Sequence, residues 1–325
     1  MASPSAAAPN RTPGASHEAL REPMLRGAYA SLEGLLAIRY RPSASPRRTP
    51  PIVRNQQGTR LSKLRGRGVD FAEVRAYQPG DDVRTIDWRV TARKNKPHTK
   101  VFREERERLT LVVVDQTQSM FFGSQQRLKS VAAAEVAACA AWRGLQHNDR
   151  VGGIVLGNDQ AAIHKPYRSS KTVARLMSDI ATYNQFLTAG TSKPDEAVLS
   201  DALLRLRRLT RTNYRIYLIS DFSPHSELWR NAWADALRAL ARHNEVVAVQ
   251  VYDPLEARLP AADRYTVTDG SNRVQFHAGD AHLRAEYQAR FDDHQQWLKT
   301  LCGNARVRYR AQATTAAVGN LDQWT

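Results

Sequence analysis

The sequence predicts an α/β fold: an open, mostly parallel sheet with helices on both faces, preceded by a small β-rich module. Two observations lead to this expectation. From residue 109 onward, short apolar runs alternate with amphipathic or Ala-rich segments, as they do when crossover helices connect parallel strands. Between residues 66 and 107, turn signals and short stretches of alternating side chains indicate a few strands that carry many arginines.

The parallel sheet is predicted from its most apolar strands. Leu109–Val114 and Tyr214–Ser220 are nearly continuous apolar runs, so we expect neighbouring central strands that are covered on both faces. Further strands are expected at 151–156, 161–167, 245–252 and 305–311. Helices are expected at 128–145, 172–183, 195–209, 228–242 and 283–301.

The part of the chain before the sheet divides by composition. Residues 1–20 are rich in Ala, Ser and Pro, which favours disorder, and a short helix is expected over 23–38. The Pro- and Arg-rich stretch 41–60 is typical of a flexible connector. These changes in composition divide the chain into an N-terminal extension and linker, the Arg-rich module, the α/β domain and a tail: 1–53, 54–108, 109–312 and 313–325.

The module itself is predicted from its turns and its alternation. Pro79-Gly80-Asp81-Asp82 is a turn signal. After it, apolar residues alternate with polar ones from Ile86 to Val90, the pattern of a half-buried strand in which Trp88 is a core anchor. A second strand is expected from Thr99 to Phe102.

Composition restricts the classes of partner and the compartment. The 325 residues contain 48 basic and 32 acidic side chains, and the net charge of +16 favours partners with anionic surfaces. Two distant cysteines, Cys139 and Cys302, exclude a disulfide framework and a cysteine zinc site. We expect a cytoplasmic protein, because no apolar run is long enough to span a membrane and residues 1–13 lack the pattern of a signal peptide.

Oxygen-bearing side chains follow the two central strands. Asp115, Thr117 and Ser119 alternate directly after the first strand, and Asp221 follows Tyr214–Ser220. Since ligands of open α/β sheets bind beyond the carboxyl ends of the strands, these side chains are expected at one rim, with the Thr191 hydroxyl reaching the same place. Carboxylate and hydroxyl oxygens suit a hard cation: Mg²⁺, or another divalent ion such as Mn²⁺ or Ca²⁺. The alternative is that both aspartates act as helix caps or turn residues, and Thr188 or Ser192 could replace Thr191.

This set resembles the metal-ion-dependent adhesion site of von Willebrand factor A domains, whose usual pattern is Asp-x-Ser-x-Ser; here Thr117 replaces the first serine. The resemblance implies a von Willebrand factor A-like sheet. It also implies that the hydroxyls of Thr117, Ser119 and Thr191 bind the ion, that the acids bind it directly or through water, and that a partner carboxylate completes the coordination.

A longer signature runs from Gly68-Val69-Asp70-Phe71 through Arg75-Ala76-Tyr77-Gln78-Pro79-Gly80-Asp81-Asp82-Val83-Arg84 to Ile86-Asp87-Trp88 and Thr91-Ala92-Arg93. With Phe102–Arg106, Lys129, Asp149–Gly152 and Ser220–Phe222, it resembles domain-of-unknown-function family 58 over roughly residues 60–255. The resemblance implies a companion of MoxR-type AAA+ ATPases and of other von Willebrand factor A-containing proteins, in chaperone-like maturation of a client. It implies a non-enzymatic adaptor that contacts membranes only through its partners.

The arginines of the module allow two interpretations. Arg75, Arg84 and Arg89 alternate with Asp81, Asp82 and Asp87, which favours an internal ion-pair network. Alternatively, the module presents a partner-binding face, since Arg and Trp are frequent at the centres of protein interfaces. The side chains of that face would be Arg75, Arg84, Trp88, Arg89 and Arg93.

Two other functions compete with the adaptor. Asp115-Gln116-Thr117 after an apolar strand is similar to the nucleophile motif of haloacid-dehalogenase phosphotransferases, but the acidic pair of their later motif is missing here. The basic stretches 41–67 and 205–215 would suit nucleic-acid phosphates, yet they carry no recognition motif, so direct nucleic-acid binding is not expected. An arginine-covered, solvated helix face explains the second stretch equally well.

Overall fold

The structure, a computed structural model, describes residues 24–41, 69–104, 108–191, 193–223, 226–261, 264–268, 273–277 and 279–324. Its strands are β1 (Val69–Ala76), β2 (His98–Glu104), β3 (Leu109–Asp115), β4 (Arg150–Leu156), β5 (Ala161–Tyr167), β6 (Tyr214–Ser220), β7 (Glu245–Tyr252), β8 (Arg264–Thr268), β9 (Arg273–His277) and β10 (Arg308–Ala313). Its α-helices are α1 (Leu32–Ala37), α2 (Trp88–Lys94), α3 (Lys129–Gln146), α4 (Ser170–Phe186), α5 (Glu196–Leu209), α6 (Glu227–Ala241), α7 (Pro254–Ala257) and α8 (Ala281–Ala305). The expected disorder of residues 1–20 and nearly all of the expected connector lie outside the described residues.

A six-stranded sheet forms the centre of the larger unit. Its order is β10-β7-β6-β3-β4-β5, and every neighbouring pair is parallel except β4 and β5. β3 and β6 lie side by side in the middle, with Leu109 opposite Tyr214 and Val114 opposite Ile219. The prediction of a mostly parallel sheet with these two segments as neighbouring central strands is confirmed.

Side chains of β3 alternate between two buried layers, as the two-residue period of a strand requires. Val112 and Val114 pack on one face of the sheet, beneath α3 and α4. Leu111 and Val113 pack on the other face, beneath α5, α6 and α8. Because both faces are covered by helices, the central strands have no polar face, and this explains their nearly continuous apolar sequence.

Segments at both ends of the described chain also pack on the face that carries α3. Leu35 of α1 is fully buried, and the carbonyl of Leu35 accepts the Trp142 indole N–H at 3.0 Å. Leu321 and Trp324 are buried in the same layer. The N-terminal segment 24–41 and residues 314–324, assigned from composition to an extension and a tail, therefore contribute to the core of the sheet domain.

Arg127 and Glu135 join these two segments to α3. Both side chains are fully buried and form an ion pair. The Arg127 guanidinium also donates to the carbonyls of Thr314 (2.9 Å) and Ala316 (2.7 Å), while Glu135 accepts from Arg41 at 2.5 Å. One buried ion pair is thus bonded to residues that lie almost 190 positions away along the chain.

The described residues of 69–104, with Arg108, form a second compact unit. β1 and β2 pair antiparallel within it. The alternation from Ile86 to Val90 predicts a half-buried strand; this prediction is wrong, because Trp88–Lys94 is the helix α2. The Asp87 carboxylate caps this helix by accepting the amides of Arg89 and Val90, and the alternation is too short to outweigh that cap. Trp88 is 70% exposed and is not a core anchor.

The segment between β7 and α8 contains a helix and two strands that were not predicted from the sequence. It begins with α7, a four-residue helix that starts in a capping box formed by Asp253 and Glu256. β8 and β9 follow as an antiparallel pair. Across the described part of the chain, no helix has both the length and the apolar character that a membrane span requires.

Candidate metal centre

Asp115 ends β3 at the carboxyl edge of the sheet. Its side chain is almost completely buried and accepts hydrogen bonds from neutral groups. Oδ1 accepts from the Thr117 amide at 2.9 Å and the Thr117 hydroxyl at 2.7 Å, and Oδ2 accepts from the Ser220 hydroxyl at 2.5 Å. No basic side chain of the described residues forms an ion pair with it. Asp115 is therefore a buried carboxylate without a counter-cation from this part of the chain.

The loop after Asp115 presents two hydroxyls. It turns into a single 3₁₀ turn, Gln118–Met120, and Thr117 and Ser119 lie with their hydroxyl oxygens 3.4 Å apart. Asn158, which follows β4, fixes the loop because its side chain accepts the Gln118 amide at 2.9 Å. Ser119 is partly exposed, so the centre opens to solvent on the side of this residue.

Asp221 lies after β6, the neighbouring strand. Its Oδ1 accepts the Ser223 amide at 2.9 Å, which closes a tight turn. Phe222 within this turn has φ 53°, a backbone region that bulky residues rarely adopt, and its buried ring packs edge-on against Trp233 at 5.0 Å. The packing of Phe222 in the core holds the strained turn and thereby the position of Asp221.

Lys129 contributes a cation that the sequence analysis did not assign to the site. It is the first residue of α3, and its side chain is 3% exposed. Its Nζ lies 2.9 Å from Asp221 Oδ2 and 2.6 Å from Glu256 Oε1. The other oxygen of Glu256 accepts the Asp253 amide at 2.8 Å, so the capping box of α7 fixes this partner of the lysine.

The pKa values of Asp115 and Lys129 are both raised, but for different physical reasons. Burial, and then the charge of Asp221, raises the pKa of Asp115 above its ordinary value, against the hydrogen bonds from Ser220 and Thr117. Burial alone would lower the pKa of Lys129, but Asp221 and Glu256 together raise it. Lys129 therefore stays charged and neutralises its own partners, while Asp115 has no positively charged partner among the described residues.

Thr191 is engaged elsewhere. Its hydroxyl accepts the Thr188 amide at 2.7 Å and lies 3.1 Å from the Thr188 hydroxyl, within a turn that the Thr191 amide closes on the Thr188 carbonyl. It makes no hydrogen bond to Asp115, Thr117, Ser119 or Asp221. The structure thus brings four of the five predicted residues to adjacent strand ends and places the fifth hydroxyl in its own turn.

The donor set decides which ion could fit. Within the described residues, no three His, Cys, Asp or Glu side chains gather into a metal-binding group. An ion here would therefore depend on the Thr117 and Ser119 hydroxyls together with Asp115 and Asp221. An all-oxygen set with two acids suits Mg²⁺ and similar hard cations, and it is unsuited to zinc held by nitrogen or sulfur. The buried, unneutralised carboxylate of Asp115 is the feature that fits a cation.

The positions of the helix starts do not support helix caps at the two aspartates. The 3₁₀ turn begins after Thr117, α3 begins after Leu128 and α6 begins after Ser226, so neither Asp115 nor Asp221 caps a helix. Each accepts the backbone amide two residues later, which is a local turn bond. In each turn, one carboxylate oxygen of the aspartate is therefore used as the acceptor of a local backbone hydrogen bond.

The arginines of the second unit form only one of the expected internal pairs. Arg75 contacts Asp81 at 2.7 Å, but Asp82 and Asp87 accept backbone amides at the starts of short helices, and Asp87 is paired with Lys100 at 3.4 Å. The remaining predicted contact residues are exposed: Arg84, Trp88, Arg89 and Arg93. The acidic residues thus act mainly as caps, and these side chains face solvent.

Sequence reasoning missed Lys129, Glu256 and Ser220 as members of the site. Ser220 directly precedes Asp221 and ends a buried strand, so its place at the rim was available from the sequence. Lys129 carried a weaker signal, a lysine at the start of an Ala-rich helix. The approach of Glu256 depends on the short helix α7, whose four residues are too few to show a periodic pattern.

Comparisons with known proteins assign the chain to a family. The family "Protein of unknown function DUF58" matches residues 73–297, and the chain belongs to it. Over 218 residues the chain is 35% identical to uncharacterized proteins of Mycobacterium tuberculosis and Mycobacterium bovis. The match covers 67% of this chain and spans 65% of the length of those relatives.

One solved structure is similar at a much lower level. The conserved hypothetical protein BatB from Bacteroides thetaiotaomicron is 15% identical, with a TM-score of 0.37, and the match covers 66% of this chain and 93% of that one. A likeness of this size supports no conclusion about function.

Proposed function

We propose that the protein is a von Willebrand factor A-like, non-enzymatic adaptor that binds a divalent cation at Asp115 and uses it to hold a protein partner. One observation carries the proposal: Asp115 is buried at the end of a central strand, beside Asp221, with only neutral hydrogen-bond donors. A buried carboxylate in this position is costly without a cation. A bound ion would remove that cost.

The proposed ion is Mg²⁺, with Mn²⁺ or Ca²⁺ as substitutes. Thr117 and Ser119 would bind it through their hydroxyls, and Asp115 and Asp221 would bind it directly or through water. The Thr188–Thr191 turn would have to open for Thr191 to take part. An incompletely filled shell leaves a position for an acidic side chain of the partner, and hard cations accept carboxylate oxygens readily.

The proposed partner is a MoxR-type AAA+ ATPase, with which the adaptor would support chaperone-like maturation of a client protein. A single ion contact is too small to specify a partner, so a wider surface must contribute. The exposed side chains Arg84, Trp88, Arg89 and Arg93 supply one candidate surface, because arginine and tryptophan dominate the energetics of many interfaces. The net charge of +16 favours an acidic face on the partner.

A phosphotransferase is less well supported. Both oxygens of Asp115 are occupied by hydrogen bonds, and the side chain is 1% exposed, whereas a nucleophile must reach a phosphoryl group. Such enzymes also require a lysine, and Lys129 does contact Asp221, but its ammonium is held by Asp221 together with Glu256. The adaptor therefore fits the geometry better.

Nucleic-acid binding rests on charge alone. Arg205 is paired with Asp201 one turn earlier on α5, and both side chains are more than half exposed. Arg207 and Arg208 are exposed on the same helix. This is the arrangement of a solvated helix face.

The test is binding of the purified protein to its cognate MoxR-type ATPase, measured with Mg²⁺ and with EDTA for the wild type and Asp115→Ala. We expect binding only for the wild type with Mg²⁺. Asp201→Ala, which removes an exposed carboxylate on α5, is the matched control and should bind like the wild type. Circular dichroism checks that the variants are folded.

Equal binding in all four combinations would contradict the ion-dependent mechanism. Absence of binding, together with Mg²⁺-dependent phosphatase turnover that Asp115→Ala abolishes, would favour the enzyme instead. Arg89→Glu/Arg93→Glu tests the second surface: it should weaken binding in Mg²⁺ while leaving calorimetric Mg²⁺ binding unchanged.

A further inference from the structure

Lys129 occupies an unusual position for a lysine. It is the first residue of α3, where the partial positive charge of the helix end disfavours a cation, and its ammonium is buried. Two carboxylates hold it there: Asp221 at 2.9 Å and Glu256 at 2.6 Å. The Phe122 ring lies 5.9 Å from the ammonium and adds an aromatic face.

The charge of Lys129 is balanced against Asp221 and Glu256, and it does not neutralise Asp115. Asp115, Asp221 and Glu256 bring three carboxylates to this region, and Lys129 supplies one positive charge. That charge is bonded to Asp221 and Glu256, while Asp115 receives only hydroxyl and amide donors. Any cation that binds Asp115 and reaches for Asp221 must therefore share Asp221 with the ammonium.

We propose that Lys129 is a resident counter-cation that weakens divalent-ion binding by competing with the ion for Asp221. This inference rests on the proposed metal-dependent function and adds a regulatory element to it. With the lysine in place, the ion is held loosely until a partner carboxylate supplies an oxygen ligand that Asp221, shared with the ammonium, does not fully provide. Ion and partner then bind together, and each raises the affinity of the other by the same factor.

The experiment measures Mn²⁺ binding to the full chain, using the electron paramagnetic resonance signal of free Mn²⁺, with Mg²⁺ calorimetry as a second measurement. The variants are Lys129→Gln, which removes the charge, and Lys129→Arg, which keeps it. Removing a unit charge several Å from a divalent ion should tighten binding by about tenfold or more. Lys129→Arg should stay close to the wild type, and Asp115→Asn should abolish binding in either background.

Loss of the lysine leaves Asp221 and Glu256 buried without their cation, so Lys129→Gln could fold poorly. Lys129→Gln/Glu256→Gln removes the second carboxylate as well and still frees Asp221, so it should also bind Mn²⁺ more tightly than the wild type. Thermal unfolding provides an independent readout. Added Mn²⁺ should raise the melting temperature of either glutamine variant more than that of the wild type.

The outcomes separate this inference from the proposed function. If the wild type binds Mn²⁺ through Asp115 and the glutamine variants bind it equally or more weakly, the competition is wrong and the metal-dependent adaptor stands. If no variant shows Mn²⁺ binding that depends on Asp115, both proposals fail. Tighter binding by both glutamine variants, but not by Lys129→Arg, supports the inference.

Discussion

The Ser220 hydroxyl donates to Asp115 Oδ2 at 2.5 Å and so connects the carboxyl ends of the two central strands. The Ser220 hydroxyl oxygen also accepts the Phe222 amide at 2.9 Å, which ties the strained turn after β6 to the end of β3. One buried serine thereby links Asp115 to the turn that carries Asp221.

We expect Ser220→Ala to destabilise the protein by about 1–3 kcal/mol, because both Asp115 and the Phe222 amide lose a buried partner. Urea unfolding in EDTA measures this change. Ser130→Ala is the matched control: its hydroxyl is buried without a hydrogen-bond partner among the described residues, so its removal should be neutral or stabilising. Equal effects of the two substitutions would show that the link between the strands has no energetic importance.

Asp115→Asn should raise the melting temperature by a few degrees in EDTA near neutral pH. Burial and Asp221 raise the pKa of Asp115, so the ionised carboxylate destabilises the folded state above that raised pKa. As the pH falls through the raised pKa toward the ordinary value near 3.8, the wild-type residue takes up a proton and the difference should disappear. Thermal unfolding between pH 4 and 8 checks the trend; a wild type that is the more stable protein at neutral pH would reverse the sign.

Glu135→Leu should destabilise the protein by about 3–5 kcal/mol, because it leaves the Arg127 guanidinium buried without its carboxylate. Asp201→Ala breaks an ion pair of the same type on the surface of α5, where both partners are more than half exposed. It should change the stability by less than about 1 kcal/mol. Denaturant unfolding of both variants compares the buried and the exposed pair directly.

The two cysteines should differ in their reaction with iodoacetamide. Burial raises the pKa of the Cys302 thiol to about 12, so at pH 8 it is protonated and inaccessible. Cys139 is partly exposed on α3. Peptide mass spectrometry should find native protein labelled at Cys139, with Cys302 labelled only after unfolding; equal labelling rates would mean that the layer around α8 opens readily.

The parallel sheet was predictable because its signal is local. An apolar run such as that of β3 predicts a strand covered on both faces, whatever lies next to it. The error at Trp88 has a local cause too, since three alternating residues could not outweigh the helix cap at Asp87.

The composition of the site was only partly predictable, because it depends on distant segments. Asp115 and Asp221 follow strands that are neighbours in the sheet, so the topology alone brings them together. The pairing of Lys129 with Glu256 joins residues 127 positions apart through a helix of four residues. Thr191 shows the opposite case: a threonine in a suitable loop found a nearer partner in Thr188.

The carbonyls that bind Arg127 impose an order on how the protein matures during synthesis. Thr314 and Ala316 leave the ribosome long after α3 is complete. The Arg127 guanidinium therefore lacks these two acceptors while most of the sheet is already available for folding. Contacts at this separation form late because closing a long loop is entropically unfavourable. A nascent chain stalled before residue 314 should therefore hold α3 and the N-terminal segment in a protease-sensitive state, and release of residues 314–324 should convert it to the resistant form.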